Sequence, residues 1–180
     1  YRQMDQKIIY TGYGLERFCW AAAGTPTIYE AVYPESVHFL RNLAKFDDMV
    51  ESLEIPLDID ALLGELSRLA GILNIDVGTD ADALYSSLAD RISQNEVPIS
   101  VSQLKSITEP LALIYAIPDH LHALCSMLGD GLVPSNSKAG YLARMLARRV
   151  CRMKDELGDN IKLADLGNQH LDLNMANRKD

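Results

Sequence analysis

The sequence predicts a mainly α-helical fold, a multi-helix bundle preceded by a short strand and a helix. From residue 34 onward, apolar side chains recur at three- and four-residue spacing in nearly every segment. Asp, Thr or Ser residues that can cap a helix stand before several of these segments. The strand-like segment KIIYTGY, Lys7–Tyr13, is β-branched and is bounded by glycine. Together these patterns predict a small α/β segment followed by an all-α domain.

The first predicted helix, LERFCWAAA, follows the strand through a glycine turn and ends at GTPT, 24–27. After Pro34 a helix carries Val37, Leu40, Leu43, Ala44 and Phe46 at helical spacing. Two further helices are predicted from Asp58 or Asp60 to about Leu73 and from Thr79 or Asp80 through Ile92. The next two are predicted from Ser100 or Ser102 to Thr108 and from Glu109 to Leu128. The last two are predicted from about Lys138 to Glu156 and between Ile161 and Met175. Pro118 is expected to break or kink its helix, because proline lacks a backbone donor.

These elements predict two domains, residues 1–33 and residues 34–180. With 180 residues, 48% of them hydrophobic, the chain can bury an ordinary core. We expect a cytoplasmic protein, since we find no run of about eighteen apolar residues and no secretion signal. The first residue is Tyr and a strand-like segment follows it, so we expect the chain to be part of a longer one.

The cysteines and histidines give no metal-binding pattern. Cys19, Cys125 and Cys151 are far apart and lie in apolar sequence, which predicts reduced core thiols. The segment PDHLHALC, 118–125, holds Asp, His and Cys, but its spacing matches no common zinc pattern. We therefore expect no metal site here and assign these residues capping or core roles.

Charge is distributed unevenly along the chain. The net charge of −8 argues against nonspecific nucleic-acid binding by the surface as a whole. Acidic residues dominate 47–96, where Arg68 and Arg91 are the only basic ones. By contrast, 131–154 contains no acid and six basic residues. A polyanion would therefore bind at 131–154.

Within that basic segment, Arg144, Arg148 and Arg152 fall four residues apart and so share one face of a helix. Arg149 lies beside them and Lys138 lies in the first turn, while Leu142, Leu146 and Val150 recur on the opposite side. A row of guanidinium groups suits a phosphate backbone, because the guanidinium fork matches phosphate oxygens. The alternative is a solvated basic face, or one paired with the acidic part of the same chain.

The stretch TGYGLERFCW, 11–20, is the second candidate site. Gly12 and Gly14 would let a flat ligand or a phosphate approach the backbone, and Arg17 could bind polyphosphate as a bidentate partner. The alternative is a hairpin or bulge pair of glycines with a surface ion pair between Glu16 and Arg17.

The same stretch resembles motif three of a class II aminoacyl-tRNA synthetase, in which small residues precede a Glu-Arg pair. The continuation GTPTIYEAVYP, and then the ordered run DH, GDGLVPSN and GYLARMLARR, resembles the archaeal-type alanyl-tRNA synthetases. The resemblance covers nearly the whole chain and is most specific over 118–149. It implies the end of an antiparallel α/β aminoacylation domain, residues 1–33, joined to a helical tRNA-recognition domain.

The resemblance implies an enzyme that activates alanine with ATP and Mg²⁺ and transfers it to the 3′ end of tRNA(Ala). Arg17 would contact the ATP phosphates, where a fixed cation offsets charge developing on the leaving pyrophosphate. Glu16 would orient Arg17, and Gly12 and Gly14 would leave room for adenosine and substrate.

In this family the helical domain reads a G·U pair in the acceptor stem with an Asn and an Asp. The matching residues are Asn74 in LAGILNID and Asp172 in QHLDLN, whose side chains can bond base edges in the RNA minor groove. The alternatives are a helix C-cap for Asn74 and an ordinary surface carboxylate for Asp172.

The sequence departs from the family at Tyr10, where the family usually places an Asp that holds the amino group of alanine. A phenol is uncharged at neutral pH, so this is either a variant position or a sign of altered amino-acid binding. Motifs one and two and the zinc-binding editing domain are not found, so we expect this chain alone to be inactive. The alternatives are a non-catalytic helical RNA-binding module or synthetase paralogue, and a helical scaffold for protein partners.

Overall fold

A computed structural model describes residues 11–70, 80–94, 98–158 and 162–175, which form helices and connecting turns with no strand among them. The helices are α1 (Leu15–Ala23), α2 (Ile28–Val32), α3 (Pro34–Leu43), α4 (Phe46–Glu51), α5 (Ile59–Ala70), α6 (Ala81–Gln94), α7 (Val101–Gly129), α8 (Lys138–Glu156) and α9 (Leu163–Met175). The mainly α prediction is therefore confirmed.

The predicted strand before α1 is not confirmed. Residues 7–10 lie outside the described ranges, and Thr11–Gly14 are irregular. The helix that follows and its end at GTPT are confirmed. Gly24 ends the helix in the left-handed conformation at φ 66°, which glycine adopts without steric cost, and its N–H donates to the carbonyl of Trp20 at 3.0 Å.

Helix α2 is attached to α7 by a hydrogen-bonded carboxylate. The Tyr115 hydroxyl donates to Glu30 Oε1 at 2.6 Å, and the Thr27 N–H donates to Glu30 Oε2 at 2.8 Å in a capping box. The Tyr29 ring stacks on Tyr115 with the ring centroids 5.1 Å apart. Burial and the bond to Glu30 raise the pKa of Tyr115.

Helix α7 lies at the centre of the bundle, and α3, α4, α6, α8 and α9 all contact it. Ser100 caps it, as predicted, in a capping box with Gln103. By length and composition alone α7 could cross a membrane, a test that a buried core helix also passes. Its buried side chains are Leu104, Ile107, Leu111, Ile114, Tyr115, Ile117, Pro118, Leu121 and Leu124.

Of the break or kink predicted at Pro118, the break is wrong and the kink stays a prediction. Residues 101–129 form one continuous helix that contains both Pro110 and Pro118, so the predicted separate helices over 100–108 and 109–128 are one. Proline deprives the carbonyl four residues earlier of its N–H partner, at a cost of about 3 kcal/mol. Burial of Ile114, Pro118 and Leu121 on the core side offsets that cost, since each large apolar side chain contributes about 1.5–3 kcal/mol.

Side chains from both ends of the chain form the core around α7. Asp58 caps α5 by accepting from the N–H groups of Asp60 and Ala61, as predicted. The largest fully buried side chains are Phe46, Leu40, Leu62, Leu63, Ile92, Leu104, Ile107, Ile114, Ile117, Leu121, Leu166 and Val150. The prediction that all three cysteines are core thiols is wrong for Cys19, which is exposed because none of α1 is buried; Cys125 and Cys151 are half-buried.

A buried polar cluster joins α3 to α9. His170 is 3% exposed, and its Nδ1 lies 3.0 Å from the Ser36 hydroxyl. Asn174 Nδ2 donates to the Ser36 hydroxyl at 3.2 Å and to the His170 carbonyl at 2.7 Å. His170 Nε2 has no hydrogen-bond partner within the described ranges. Burial, and secondarily the nearby His122, lower the pKa of His170 to about 4.

We predict that His170 makes stability depend on pH. Between about pH 6.5 and pH 4 the unfolded chain binds a proton at this histidine and the folded chain does not, so stability falls as the pH falls. The loss should be about 2–3 kcal/mol in the free energy of unfolding. Urea unfolding measured across this pH range should show this loss of stability in the native chain. The control His38→Gln changes an exposed histidine and should show the same loss. An equal loss in His170→Gln would contradict the assignment.

Candidate nucleic-acid interface

Helix α8 carries the basic residues and packs against α7 and α9. Its buried positions are Gly140, Ala143 and Val150, and Met153 packs against the core. The predicted apolar side Leu142–Leu146–Val150 is therefore misplaced by part of a turn, since Leu142 is 45% exposed. Small residues at 140 and 143 let the helix approach its neighbours closely, which determines the buried side.

The arginine row lies on the opposite, exposed side. The side chains of Arg144, Arg148, Arg149 and Arg152 are all exposed, as the four-residue spacing predicts. Together with Tyr141 and Met145 they line an open surface concavity of about 330 Å³. Four guanidinium groups thus share one solvent-facing surface, called the arginine face below.

The arginine face has no acidic partner within the described ranges. The described ion pairs lie elsewhere, between Arg41 and Asp47 or Asp60, Arg68 and Glu65, Lys105 and Asp82, His120 and Asp119, and Lys154 and Asp155. Pairing of the basic face with the acidic part of the chain is therefore not observed there. Unpaired exposed guanidinium groups are available to phosphate oxygens.

The loop before α8 is held against the first turn of that helix. A Cβ on Gly140 would lie 2.6 Å from the Val133 carbonyl, so only glycine fits there without a shift. The Ser135 N–H donates to the Gly140 carbonyl at 3.0 Å, and Ser137 is the N-cap of α8.

This fixed loop and the first turn present polar groups next to the arginine face. Lys138 is exposed at the start of α8. Asn136 is an exposed amide, and within the described ranges its side chain makes no hydrogen bond. The sequence pattern assigns Asn136 no binding role, although it stands close before the basic helix.

The predicted base-reading residues are not brought together by the described structure. Asn74 lies outside the described ranges. Asp172 is exposed on α9, and among the described residues it makes no ion pair with α8. The roles of Asn74 and Asp172 stay predictions.

In the second candidate site, Glu16 and Arg17 lie exposed in the first turn of α1. A Cβ added to Gly12 would meet no atom within 4 Å, whereas a Cβ added to Gly14 would meet the flexible Glu16 carboxylate. The two side chains form no ion pair within the described ranges, so the surface-pair alternative is not observed there. Tyr10 lies outside those ranges.

Helix α1 presents apolar side chains that the described residues leave uncovered. Tyr13, Leu15 and Phe18 are 73%, 74% and 58% exposed, and no residue of α1 is buried. The Tyr13 and Phe18 rings meet edge to face with centroids 5.9 Å apart. An exposed apolar patch of this kind is typical of a contact surface.

Comparison with known proteins identifies the family. The family model of class II (A) tRNA synthetases matches residues 1–176. The chain is 44% identical over 168 residues to an alanine–tRNA ligase of Natronomonas pharaonis, covering 92% of this chain and 16% of that protein. The alanine–tRNA ligases of Methanosarcina barkeri and Archaeoglobus fulgidus are each 40% identical, over 95% and 94% of this chain and 18% of each relative.

The chain thus spans less than a fifth of the length of the curated relatives it matches. The match nevertheless extends over both candidate sites, from the Glu-Arg pair to the arginine face. The chain belongs to the family of class II (A) tRNA synthetases.

Proposed function

We propose that the chain is part of an alanine–tRNA ligase and that its helical region binds the acceptor stem of tRNA(Ala). The arginine face carries this proposal: four exposed guanidinium groups on one side of α8, without acidic partners in the described part of the chain. The similarity to alanine–tRNA ligases supports the choice of RNA. As such an enzyme it would act in the cytoplasm.

The geometry of the arginine face suits a phosphate backbone. Arg144, Arg148 and Arg152 span about 12 Å along the helix axis at 1.5 Å per residue. Guanidinium groups bind phosphate oxygens with paired hydrogen bonds and stay charged at any physiological pH. Lys138 and the positive end of the α8 dipole add to the attraction at one end of this row. The face would hold RNA by its backbone, largely without regard to sequence.

In the same proposal α1 belongs to the ATP site of the ligase. Arg17 would bind the ATP phosphates, and Glu16 would orient it once substrate is bound. Gly12 and Gly14 would give the adenosine room. Attack of the alanine carboxylate on the α-phosphate releases pyrophosphate, and a fixed guanidinium would stabilise the charge that develops on it.

We assign no metal ligand of such an enzyme to the described residues. The described residues contain no cluster of three or more His, Cys, Asp or Glu side chains, so we place neither a Mg²⁺ nor a zinc ligand on them. Mg²⁺ would be held largely by the ATP phosphates, as is usual for this ion.

The division into an aminoacylation segment, 1–33, and a helical domain, 34–180, is part of the proposal. The exposed apolar side chains of α1 would pack against the rest of the aminoacylation domain. Helix α2 would be the junction, because Glu30 hydrogen-bonds to Tyr115 and Tyr29 stacks on it, whereas no residue of α1 is buried.

The salt dependence of RNA binding tests the arginine face. Arg148→Ala should weaken binding to an alanine acceptor-stem duplex about fivefold to tenfold and reduce the salt slope by about one, because one phosphate contact is lost. Fluorescence anisotropy at several salt concentrations measures both quantities. Arg91→Ala, in the acidic part of the chain, is the matched control and should change neither. Binding that depended on neither the salt concentration nor Arg148 would refute the proposed phosphate binding by the arginine face.

Base reading by Asp172 and Asn74 is a separate prediction. In the native chain a G·U pair at the third position should bind better than a G·C pair, and Asp172→Ala or Asn74→Ala should remove about 1–3 kcal/mol of that preference. The same titrations with Asn136→Ala test whether the exposed amide before α8 contributes to this preference. A preference unchanged in all three variants would show that other groups read the pair.

The enzymatic part of the proposal is tested in the full-length ligase by alanine-dependent pyrophosphate exchange. Arg17→Ala should lower the exchange rate about a hundredfold or more, because a charge-stabilising donor is lost from the transition state. Arg17→Lys should recover only part of it, since an ammonium group lacks the bidentate fork. Arg91→Ala should leave the rate unchanged.

No exchange in the unaltered enzyme, or exchange with another amino acid instead of alanine, would favour a non-catalytic relative or an altered specificity at Tyr10. RNA binding by the present chain should be unaffected by Arg17→Ala in either case.

A further inference from the structure

The arginine face ends in an aromatic ring at its α8 N-terminal end. Tyr141 is 53% exposed and lines the same concavity as Arg144 and Arg148. Its ring makes no aromatic contact, and its hydroxyl no hydrogen bond, within the described ranges. Residues 141 and 144 are one turn apart on this side of α8, separated by about 4.5 Å along the helix axis at 1.5 Å per residue. It is therefore placed beside the first guanidinium group and packs against no other ring of the described structure.

Charge favours an RNA strand that runs toward this ring. At the other end of α8, Glu156 is exposed and its carboxylate repels phosphate, while the exposed Asp155 forms an ion pair with Lys154. At the Tyr141 end, Lys138, the N-terminus of the helix and the exposed Asn136 follow the arginines. A backbone bound to the arginines thus meets favourable groups in the direction of Tyr141 and an unfavourable one in the other.

Two further apolar side chains are exposed near this end of α8. Val133 in the loop is 74% exposed, and Leu142, next to Tyr141 in the chain, is 45% exposed. The loop that carries Val133 is held in place by the close approach to Gly140. The Tyr141 hydroxyl can donate to a phosphate, whereas the exposed ring suits the flat face of a nucleobase. Bases within a duplex are stacked on each other and cannot use it.

We propose that Tyr141 stacks on an unpaired nucleobase of the RNA whose phosphates the arginine face binds. This rests on the proposed function and refines it: the preferred RNA is a duplex that continues into a single strand, rather than a plain duplex. The duplex backbone occupies the arginines, and the first unpaired base beyond it lies on the Tyr141 ring.

Two RNA probes test the proposal with the 180-residue chain. One is a blunt acceptor-stem duplex, and the other is the same duplex with a four-nucleotide 3′ single-stranded extension. Tyr141→Leu should weaken binding of the extended RNA about fivefold to a hundredfold, the range expected for one base stacked on an aromatic ring. It should change binding of the blunt duplex less than twofold. Tyr141→Phe is the matched control, because it keeps the ring and should bind both RNAs as the native chain does.

A spectroscopic readout separates stacking from a general loss of affinity. With 2-aminopurine in the extension, the native chain and Tyr141→Phe should quench its fluorescence on binding, and Tyr141→Leu at saturating concentration should not. Far-ultraviolet circular dichroism should show that all variants keep their helical content.

Equal losses on both RNAs, or no loss on either, would overturn the stacking proposal while Arg148→Ala still weakened both probes. If instead the native chain bound neither RNA, or Arg148→Ala had no effect, the proposed function itself would fall, and the stacking role with it.

Discussion

Burial of the apolar side chains of α7 is the interaction on which the helical domain depends. Helices α2, α3, α4, α6, α8 and α9 contact α7, and its fully buried residues Leu104, Ile107, Ile114 and Ile117 meet side chains from regions distant in sequence. Deleting any of these large side chains would cost about 2–5 kcal/mol, a large part of the stability of a domain of this size. The same burial keeps α7 continuous through two prolines, because a broken helix would divide the surface against which its neighbours pack.

The arginine face follows from this packing. Helix α8 packs against α7, and once Ala143 and Val150 are buried, the side that carries Arg144 and Arg148 can only face solvent. Gly140 lets the preceding loop close onto the helix, which fixes the position of Asn136 and Tyr141 relative to the arginines. Core packing therefore orients the arginine face, whose own exposed residues contribute little to stability.

Local signals in the sequence predicted most elements and the arginine face, and failed where tertiary packing decides. The caps Asp58 and Ser100 and the bounds of α8 follow from side-chain chemistry near each helix end. The continuity of α7 at Pro118 does not, because the compensating burial comes from other helices. Likewise periodicity could not distinguish Leu142 from Ala143 as the buried position, since a close helix contact favours the smaller residue. Only the fold shows that the four arginines have no acidic partner among the described residues.

The hydrogen bond between Glu30 and Tyr115 determines how the two candidate sites relate. Glu30 caps α2 with one oxygen and accepts from α7 with the other, so α2 cannot rotate on α7 without breaking both interactions. Upstream, the Trp20 indole donates to the Thr25 carbonyl at 2.7 Å and fixes the turn between α1 and α2. A short series of hydrogen bonds thus connects Arg17 to the helix against which α8 packs. In the proposed function, RNA bound on α8 and ATP bound at Arg17 would then be held in a fixed relative position. Transfer of an activated amino acid to an RNA end requires such positioning.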